Sequence, residues 1–508
     1  MVGEADGQIR RADDGIVFTD SPHQHGDLTF GDGRLLCVRE AAAGDQLIAI
    51  SPETAREKIL WQAPFLASPG LTAGRLTWTQ WADDAMPWDS SEVWTAAYDG
   101  RRVHDARRLA GGPDESAVQP RWGPDRYLYF MSDRTGWWNL YRHRGGLTEA
   151  VAPVRAECAA APWELGYTDY VFLPGGRFAM TVQRGPSWSL IVVEPGGRLR
   201  PVELPYTSLK PYLAVVGKRV ALIGGSPTRA PEVATVAVDG RGEIEVLRRA
   251  EPVAEIAAIT CPEVMQIRSE GGEVTALFYP PAGHVAGAVP LILRPHAGPT
   301  HHSDRRLDGQ VQYFTSRGFA VVDVDYRGST GYGRSFRQAL DGQWGIRDVE
   351  DCRNVAWHLL AIGRAAPGGV FISGASAGGY TALRAVCEDG PFTLAVARSA
   401  IVDPRRWTTT APRFQRPHAA RLANAEAAVR AHLFRAPALL IHGERDEIAP
   451  IDDVLALAHG LRQHHRLAGL VSFPEVGHFL SAPAALAAAL EAELAAYRAV
   501  LDGRRTDA

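Results

Sequence analysis

Gly368-Gly-Val-Phe-Ile-Ser-Gly-Ala-Ser-Ala-Gly-Gly-Tyr-Thr-Ala-Leu383 is the stretch whose reading decides the fold. Residues 370–372 are a short run of β-formers and read as a buried strand. Residues 377–387 read as a helix. Between them Gly374-Ala-Ser-Ala-Gly378 is a G-x-S-x-G, which makes a sharp turn between strand and helix and pushes one serine, Ser376, into the open. A Cβ at Gly374 or Gly378 would collide with the neighbouring strand or helix. The helix start behind Ser376 offers unpaired N–H groups to a developing negative charge.

Outward from this turn, the second half of the chain alternates buried apolar runs with helix-length segments. After a hairpin (264–268 with 274–279) and a turn (280–287), the runs fall at 291–293, 319–324, 370–372, 394–397, 438–441 and 470–473. Such alternation means a mostly parallel sheet covered on both faces. Functional groups then gather beyond the carboxyl ends of the strands. Asp446 stands on the loop after 438–441 and His478 on the loop after 470–473. Ser376, Asp446 and His478 follow the chain order of the α/β-hydrolase triad. A serine hydroxyl becomes a useful nucleophile when an imidazole takes its proton, and a carboxylate fixes the imidazole's tautomer. Asp452 and Asp453 suit the start of the next helix better, and His464 and His465 face water. The run 290–299 ends in His296-Ala-Gly-Pro, a loop able to supply a second oxyanion donor. Gly298 N–H is expected to act beside Ala377 N–H. His296, His301 and His302 lack a suitably spaced Cys or acidic partner, so no metal and no cofactor are expected. The last helix has one apolar face, Leu486, Leu490, Leu494, Tyr497 and Leu501, with Ser481 as its expected cap.

The first half has a different texture. Short β-rich runs come in pairs (28–39 with 46–50, 75–81 with 92–98, 127–134 with 138–142, 177–182 with 188–193, 219–224 with 233–238). Turns such as Asp99-Gly100, Gly196-Gly197 and Asp239-Gly240 punctuate them. A β-period of roughly 40–50 residues marks a propeller. The expected fold is therefore a β-propeller of about five to six recognisable blades over residues 1–260, followed by an α/β-hydrolase domain over 261–508. The tryptophans of the first half are read as filling the spaces between blades, and Met86-Pro-Trp-Asp89 as a loop facing the second domain.

The chain has 508 residues, a net charge of -4 and five scattered cysteines without a C-x-x-C. The length calls for two or more domains. The charge gives no case for nucleic acid, and the cysteines fit a reduced compartment. The N-terminus lacks the apolar segment of a secretory leader, and no apolar run reaches the ~18 residues of a membrane span. The expected location is the cytoplasm, away from any membrane.

Residues 318–334 (Gly-Phe-Ala-Val-Val-Asp-Val-Asp-Tyr-Arg-Gly-Ser-Thr-Gly-Tyr-Gly-Arg), 342–352 and 373–381 resemble the prolyl oligopeptidase family of serine peptidases, in its acylaminoacyl-peptidase and dipeptidyl-peptidase-like branch. In the first half, 86–89, 115–122 and 132–141 are similar to bacterial members. The resemblance implies a propeller that restricts access and a hydrolase domain that cleaves amide bonds of short peptides or acylated amines through an acyl-enzyme. It implies triad roles for Ser376, Asp446 and His478, and oxyanion roles for Gly298 and Ala377. His296, Tyr380, Arg405 and Trp407 are the candidate substrate contacts. Against the family pattern, the first half is short for a seven-bladed propeller. Ala297 stands where many relatives have glycine, and no Glu-Glu pair of the dipeptidyl enzymes occurs. Residues 403–430, where relatives build part of the acyl pocket, are altered, and their arginines, Arg405, Arg406, Arg413 and Arg416, read as a solvated basic face. An acyl hydrolase, acyltransferase or peptide-cyclising enzyme with the same serine is the alternative, and a non-catalytic propeller binding protein the remote one. Open strand edges in a shortened propeller point to a homo-oligomer.

Overall fold

The computed structural model describes residues 7–239, 242–250, 259–283 and 287–503. The Asp239-Gly240 turn, part of the turn at 280–287 and the first residues of the chain fall partly outside them. The chain divides into two compact units. One comprises residues 1–184, 188–224 and 232–248; the other comprises 185–187, 225–231 and 249–508.

Among the described residues the first unit is built of five successive sheets, each with a path of four hydrogen-bonded strands that follows chain order, spanning 25–63, 65–111, 117–150, 170–202 and 208–249. The fifth carries one additional short strand. Successive four-stranded sheets made from local hairpins are propeller architecture. The turns show why the chain folds back so tightly. Asp32 and Gly33 both take positive φ (47° and 74°) between the paired residues Gly31 and Arg34. This is the type I′ geometry that suits the twist of a hairpin and favours Asp-Gly. The Asp32 carboxylate then accepts the N–H groups of Ala73 (2.9 Å) and Gly74 (2.7 Å), tying this turn to the corresponding turn of the next sheet. Trp78 is fully buried among apolar residues of the first two sheets and packs on Trp61 and Trp94, which is the space-filling role expected. The 86–89 loop is enclosed. Met86, Trp88 and Asp89 are buried, and Trp88 lies against Trp163 within the first unit.

The second unit holds one eight-stranded sheet: β1 (Glu263–Ser269), β2 (Gly272–Tyr279), β3 (Val289–Pro295), β4 (Ala320–Asp325), β5 (Ala365–Ala375), β6 (Leu394–Arg398), β7 (Ala438–Gly443) and β8 (Leu467–Phe473). Their order is β1-β2-β4-β3-β5-β6-β7-β8. β1 and β2 pair antiparallel, as do β2 and β4, and the pairs from β4 to β8 are parallel. Alternate residues of the central strands enter two separate cores. Leu291, Leu293, Val370, Ile372 and Leu440 join one cluster, and Ile292, Phe371, Leu439 and Ile441 join the other. Helices α2 (Arg347–Ala361) and α3 (Ala377–Ala385) cover the first face. Helices α1 (Gly309–Thr315) and α6 (Pro483–Leu501) cover the second. Each fully buried Val, Leu, Ile or Phe contributes about 1.5–3 kcal/mol, which is why both faces need a helix layer.

Helix α6 buries Leu490, Leu494 and Tyr497 as expected, while Leu501 is exposed. Its cap differs from expectation. Ala482 holds the N-cap without a side-chain bond, and Pro483, whose missing N–H costs nothing there, starts the helix. No helix among the described residues is long and apolar enough to cross a membrane. The five cysteines are free thiols.

Candidate active site

Strand β5 ends at Ala375, and Ser376 stands alone between it and α3 with φ 53° and ψ -118°. Backbone sterics leave this turn little freedom. A Cβ on Gly374 would lie 2.1 Å from the Gly378 carbonyl oxygen, and one on Gly378 would lie 2.3 Å from the Pro295 oxygen. Gly379 is equally constrained, since its Cβ would meet that of Ala400 at 2.7 Å. The Ser376 N–H donates to the Arg398 carbonyl at the end of β6 (2.9 Å), and its own carbonyl accepts the Tyr380 N–H (3.1 Å).

The loop leaving β3 lies against the start of α3, as the Gly378 contact with Pro295 and His296 shows. In this loop Gly298 has φ 132°, a value that suits glycine, and the Gly298–Pro299 peptide is cis. Neither the Gly298 nor the Ala377 N–H has a protein acceptor among the described residues. The His296 ring stacks on Tyr326 with centroids 4.3 Å apart, and its Nε2 lies 2.7 Å from the Ser329 hydroxyl. Burial pushes His296 down to about 3, so it is neutral.

The candidate acid–base pair, Asp446 and His478, comes from the loops after β7 and β8. The Asp446 carboxylate accepts the N–H groups of Ile448 (2.9 Å) and Ala449 (2.8 Å), which fixes it in its loop. His478 Nδ1 lies 2.8 Å from Asp446 Oδ2 and 3.0 Å from Oδ1. With the Nδ1 proton donated to the carboxylate, Nε2 keeps its lone pair and can take a proton. Among the described residues no hydrogen bond joins the Ser376 hydroxyl to His478, so the structure brings Asp446 and His478 into contact and leaves the third bond open. Such bonds are commonly loose without substrate.

Sequence reasoning missed two neighbours of this pair. His442, in β7, is buried and neutral, because burial holds its imidazole below the usual range. Its Nε2–H donates to the Ala449 carbonyl (2.8 Å) and lies 3.4 Å from Asp446 Oδ2. Gly443 ends β7 where a Cβ would lie 2.3 Å from the Val476 oxygen, so it admits the His478 loop. The signal was present: His442-Gly443 stands shortly before Asp446.

The expected substrate contacts are corrected in part. Tyr380 is completely buried, with its hydroxyl donated to the Ala427 carbonyl (2.6 Å). The helical period that follows Ser376 turns it inward, and it is a packing group. Trp407, in α4 (Pro404–Thr410), is 3% exposed and donates Nε1–H to the Ile448 carbonyl (2.8 Å). His296 is a strut of its loop. Arg405 is exposed, and its guanidinium has no partner among the described residues. Of the remaining arginines, Arg406 pairs with Asp453 and Arg416 Nε donates to the Ala411 carbonyl. Asp452 and Asp453 lie in the first turn of α5 (Ile451–Gln463), and His464 and His465 are exposed beyond its end.

Beside the Asp446 loop, Ala400, Ile401, Trp407, Ala449 and Pro450 line a cavity of about 10 Å³, room for a single water. A more open groove of about 290 Å³ adjoins it and shares Val402, Asp403 and Asp453 with it. Among the described residues no group of three or more His, Cys, Asp or Glu is placed to hold a metal.

Residues 305–503 match the model of the prolyl oligopeptidase family. A solved puromycin-hydrolyzing peptidase of Mycobacterium tuberculosis is 32% identical, with a TM-score of 0.88, covering 94% of this chain and 78% of its own. A puromycin hydrolase structure is 29% identical with a TM-score of 0.86, over 94% of this chain and 79% of its own. An uncharacterized Bacillus subtilis peptidase, YuxL, is 26% identical over half of this chain and 41% of its own length. The acylamino-acid-releasing enzyme of Arabidopsis thaliana is 27% identical over 38% of this chain and 28% of its own. The matches thus span less than half of either curated relative.

Proposed function

The chain belongs to the prolyl oligopeptidase family, and on that premise we propose that it is a serine hydrolase cleaving amide bonds of short peptides or acylated amines. The Ser376 hydroxyl attacks the carbonyl carbon as His478 Nε2 takes its proton. Asp446 holds the imidazole by Nδ1–H and stabilises the imidazolium. The N–H groups of Ala377 and Gly298 receive the oxyanion, Ala377 from the helix start and Gly298 from the loop after β3. The C–N bond then breaks, the amine leaves with the proton from His478, and the acyl group stays on Ser376. Water, deprotonated by the same imidazole, releases it. The groove lined by Val402, Asp403 and Asp453 seats the acyl side chain.

The observation that carries this reading is the 2.8 Å bond between His478 Nδ1 and Asp446, on loops beyond two strands of the sheet whose β5 leads into Ser376. The activities named for relatives, puromycin hydrolysis and release of acylamino acids, support amide substrates. The test is a fluorophosphonate probe together with a panel of short peptides bearing free or blocked amino ends. Wild type should label at Ser376 and trim peptides. Ser376→Ala should take up no probe and lose about 10⁶-fold in kcat while keeping its melting temperature. A purified Ser376→Ala protein that still cleaved at the wild-type rate would overturn the assignment.

A further inference from the structure

Glu493 lies in the interior of α6 and is wholly buried, and Arg398, at the end of β6, is 8% exposed. Charges so placed are costly unless they are paired and hydrogen-bonded. Glu493 Oε2 accepts the Ser373 hydroxyl (3.1 Å) and the Tyr497 hydroxyl (3.0 Å). Its Oε1 lies 3.2 Å from Arg398 Nε, an ion contact without the alignment of a hydrogen bond. Arg398 Nη1 donates to Gln310 Oε1 (2.8 Å). One carboxylate thus ties together β5, β6 and α6, and through Arg398 it reaches α1.

Packing alone does not call for this arrangement. An apolar side chain of similar volume would fill the space at lower cost. Charges and hydrogen bonds add a fixed position, and the position fixed here bears on the nucleophile. Arg398 is the residue whose carbonyl holds the Ser376 N–H at 2.9 Å. Ser373 stands three residues before Ser376 on the strand that leads into it, and Arg398 pairs with Ala375 in the sheet. The next residue, Ser399, has φ 43°, so the backbone on both sides of this bond is held in the left-handed region that non-glycine residues avoid. Something must keep the end of β6 from relaxing.

We propose that Glu493 and Arg398 are positioning residues for Ser376. Their pair clamps the carboxyl end of β6, so that the Arg398 carbonyl keeps the serine in its turn. This rests on Ser376 being the nucleophile. Neither side chain touches substrate, and the His478–Asp446 bond is independent of both.

The test is the rate at which a fluorophosphonate phosphonylates Ser376, with loss of fluoride, per folded molecule and well below the melting temperature of each variant. Glu493→Gln keeps the size and two hydrogen-bond acceptances but removes the charge. It should be phosphonylated about ten-fold more slowly, with the inflection of its pH–rate profile unmoved, and Arg398→Lys, which keeps the charge, should stay within about three-fold of wild type. A Glu493→Gln protein that melts earlier yet is phosphonylated at the wild-type rate would show a merely structural pair and overturn the inference. Where Glu493→Gln fails to fold, Ser373→Ala gives the same reading: slower phosphonylation supports the clamp and an unchanged rate refutes it. A wild-type protein that takes up no probe at Ser376 would instead remove the nucleophile on which the inference rests.

Discussion

The turn that carries Ser376 and the corner that joins Asp446 to His478 stand at the same edge of one sheet, yet they are held in opposite ways. The turn is locked by backbone. Three glycines, 374, 378 and 379, have no room for a Cβ, and every residue of α3 is buried. The corner is held by side chains on two loops: a carboxylate accepting two N–H groups, a histidine on that carboxylate, and then Phe479, 73% exposed. The difference matches the work proposed for each. A nucleophile must be placed to a fraction of an ångström, which sterics do well. A base must turn between two proton partners, which a hydrogen-bonded loop residue can do.

Breaking the lock should have the largest effect. Gly378→Ala drives a methyl to 2.3 Å from the Pro295 oxygen. Fluorophosphonate labelling should vanish, and urea unfolding should show a loss of about 3 kcal/mol or more. Next comes the corner. Asp446→Asn keeps an acceptor for the loop amides but presents the wrong partner to His478 Nδ1. We expect about 10⁴-fold lower kcat in peptide turnover, with the unfolding midpoint moved little.

The third test concerns pH and lies on the turn's side. Asp348 is wholly buried beneath α3, where it accepts the Thr381 hydroxyl (2.5 Å) and the Gly345 N–H (2.7 Å). Burial raises its carboxyl to about 6. Between about pH 4 and 6 the folded chain therefore binds a proton that the unfolded chain lacks. That contribution to stability is full below about pH 4 and lost as pH rises through 6. Against Asp348→Asn, wild type should lose on the order of 3 kcal/mol of relative stability between pH 4 and 7, read from urea unfolding at each pH. A flat difference would mean that the carboxyl is not sealed under the helix. The smallest effect is expected at the open corner. Phe479→Ala should change unfolding stability by less than about 0.5 kcal/mol, and a larger loss would show the corner to be packed like the turn.

What the sequence made legible divides along the same line. Gly374-x-Ser376-x-Gly378 could be read because each residue is demanded by its immediate neighbours. Asp446 and His478 could be read because strands predict where their following loops emerge. Tyr380 misled because α3 is buried along its whole length, so a place just after Ser376 in sequence brings no exposure. Ser481 misled because Pro483 sets the helix start without a cap bond. The extent of β5, read as 370–372 and found as Ala365–Ala375, depends on pairing with β3 and β6 that no local pattern records. Arg398 and Glu493 are distant in sequence and ordinary in type, and only the fold brings them together.

The backbone at Ser376, with φ 53°, is one that glycine enters freely and every other residue enters at a cost of about 1–3 kcal/mol. Judged by endurance to heat alone, the best residue at this position would have no side chain at all. A laboratory population selected only for surviving high temperature should drift towards Ser376→Gly, gaining lifetime as it discards the chemistry, unless each generation is also made to turn over substrate.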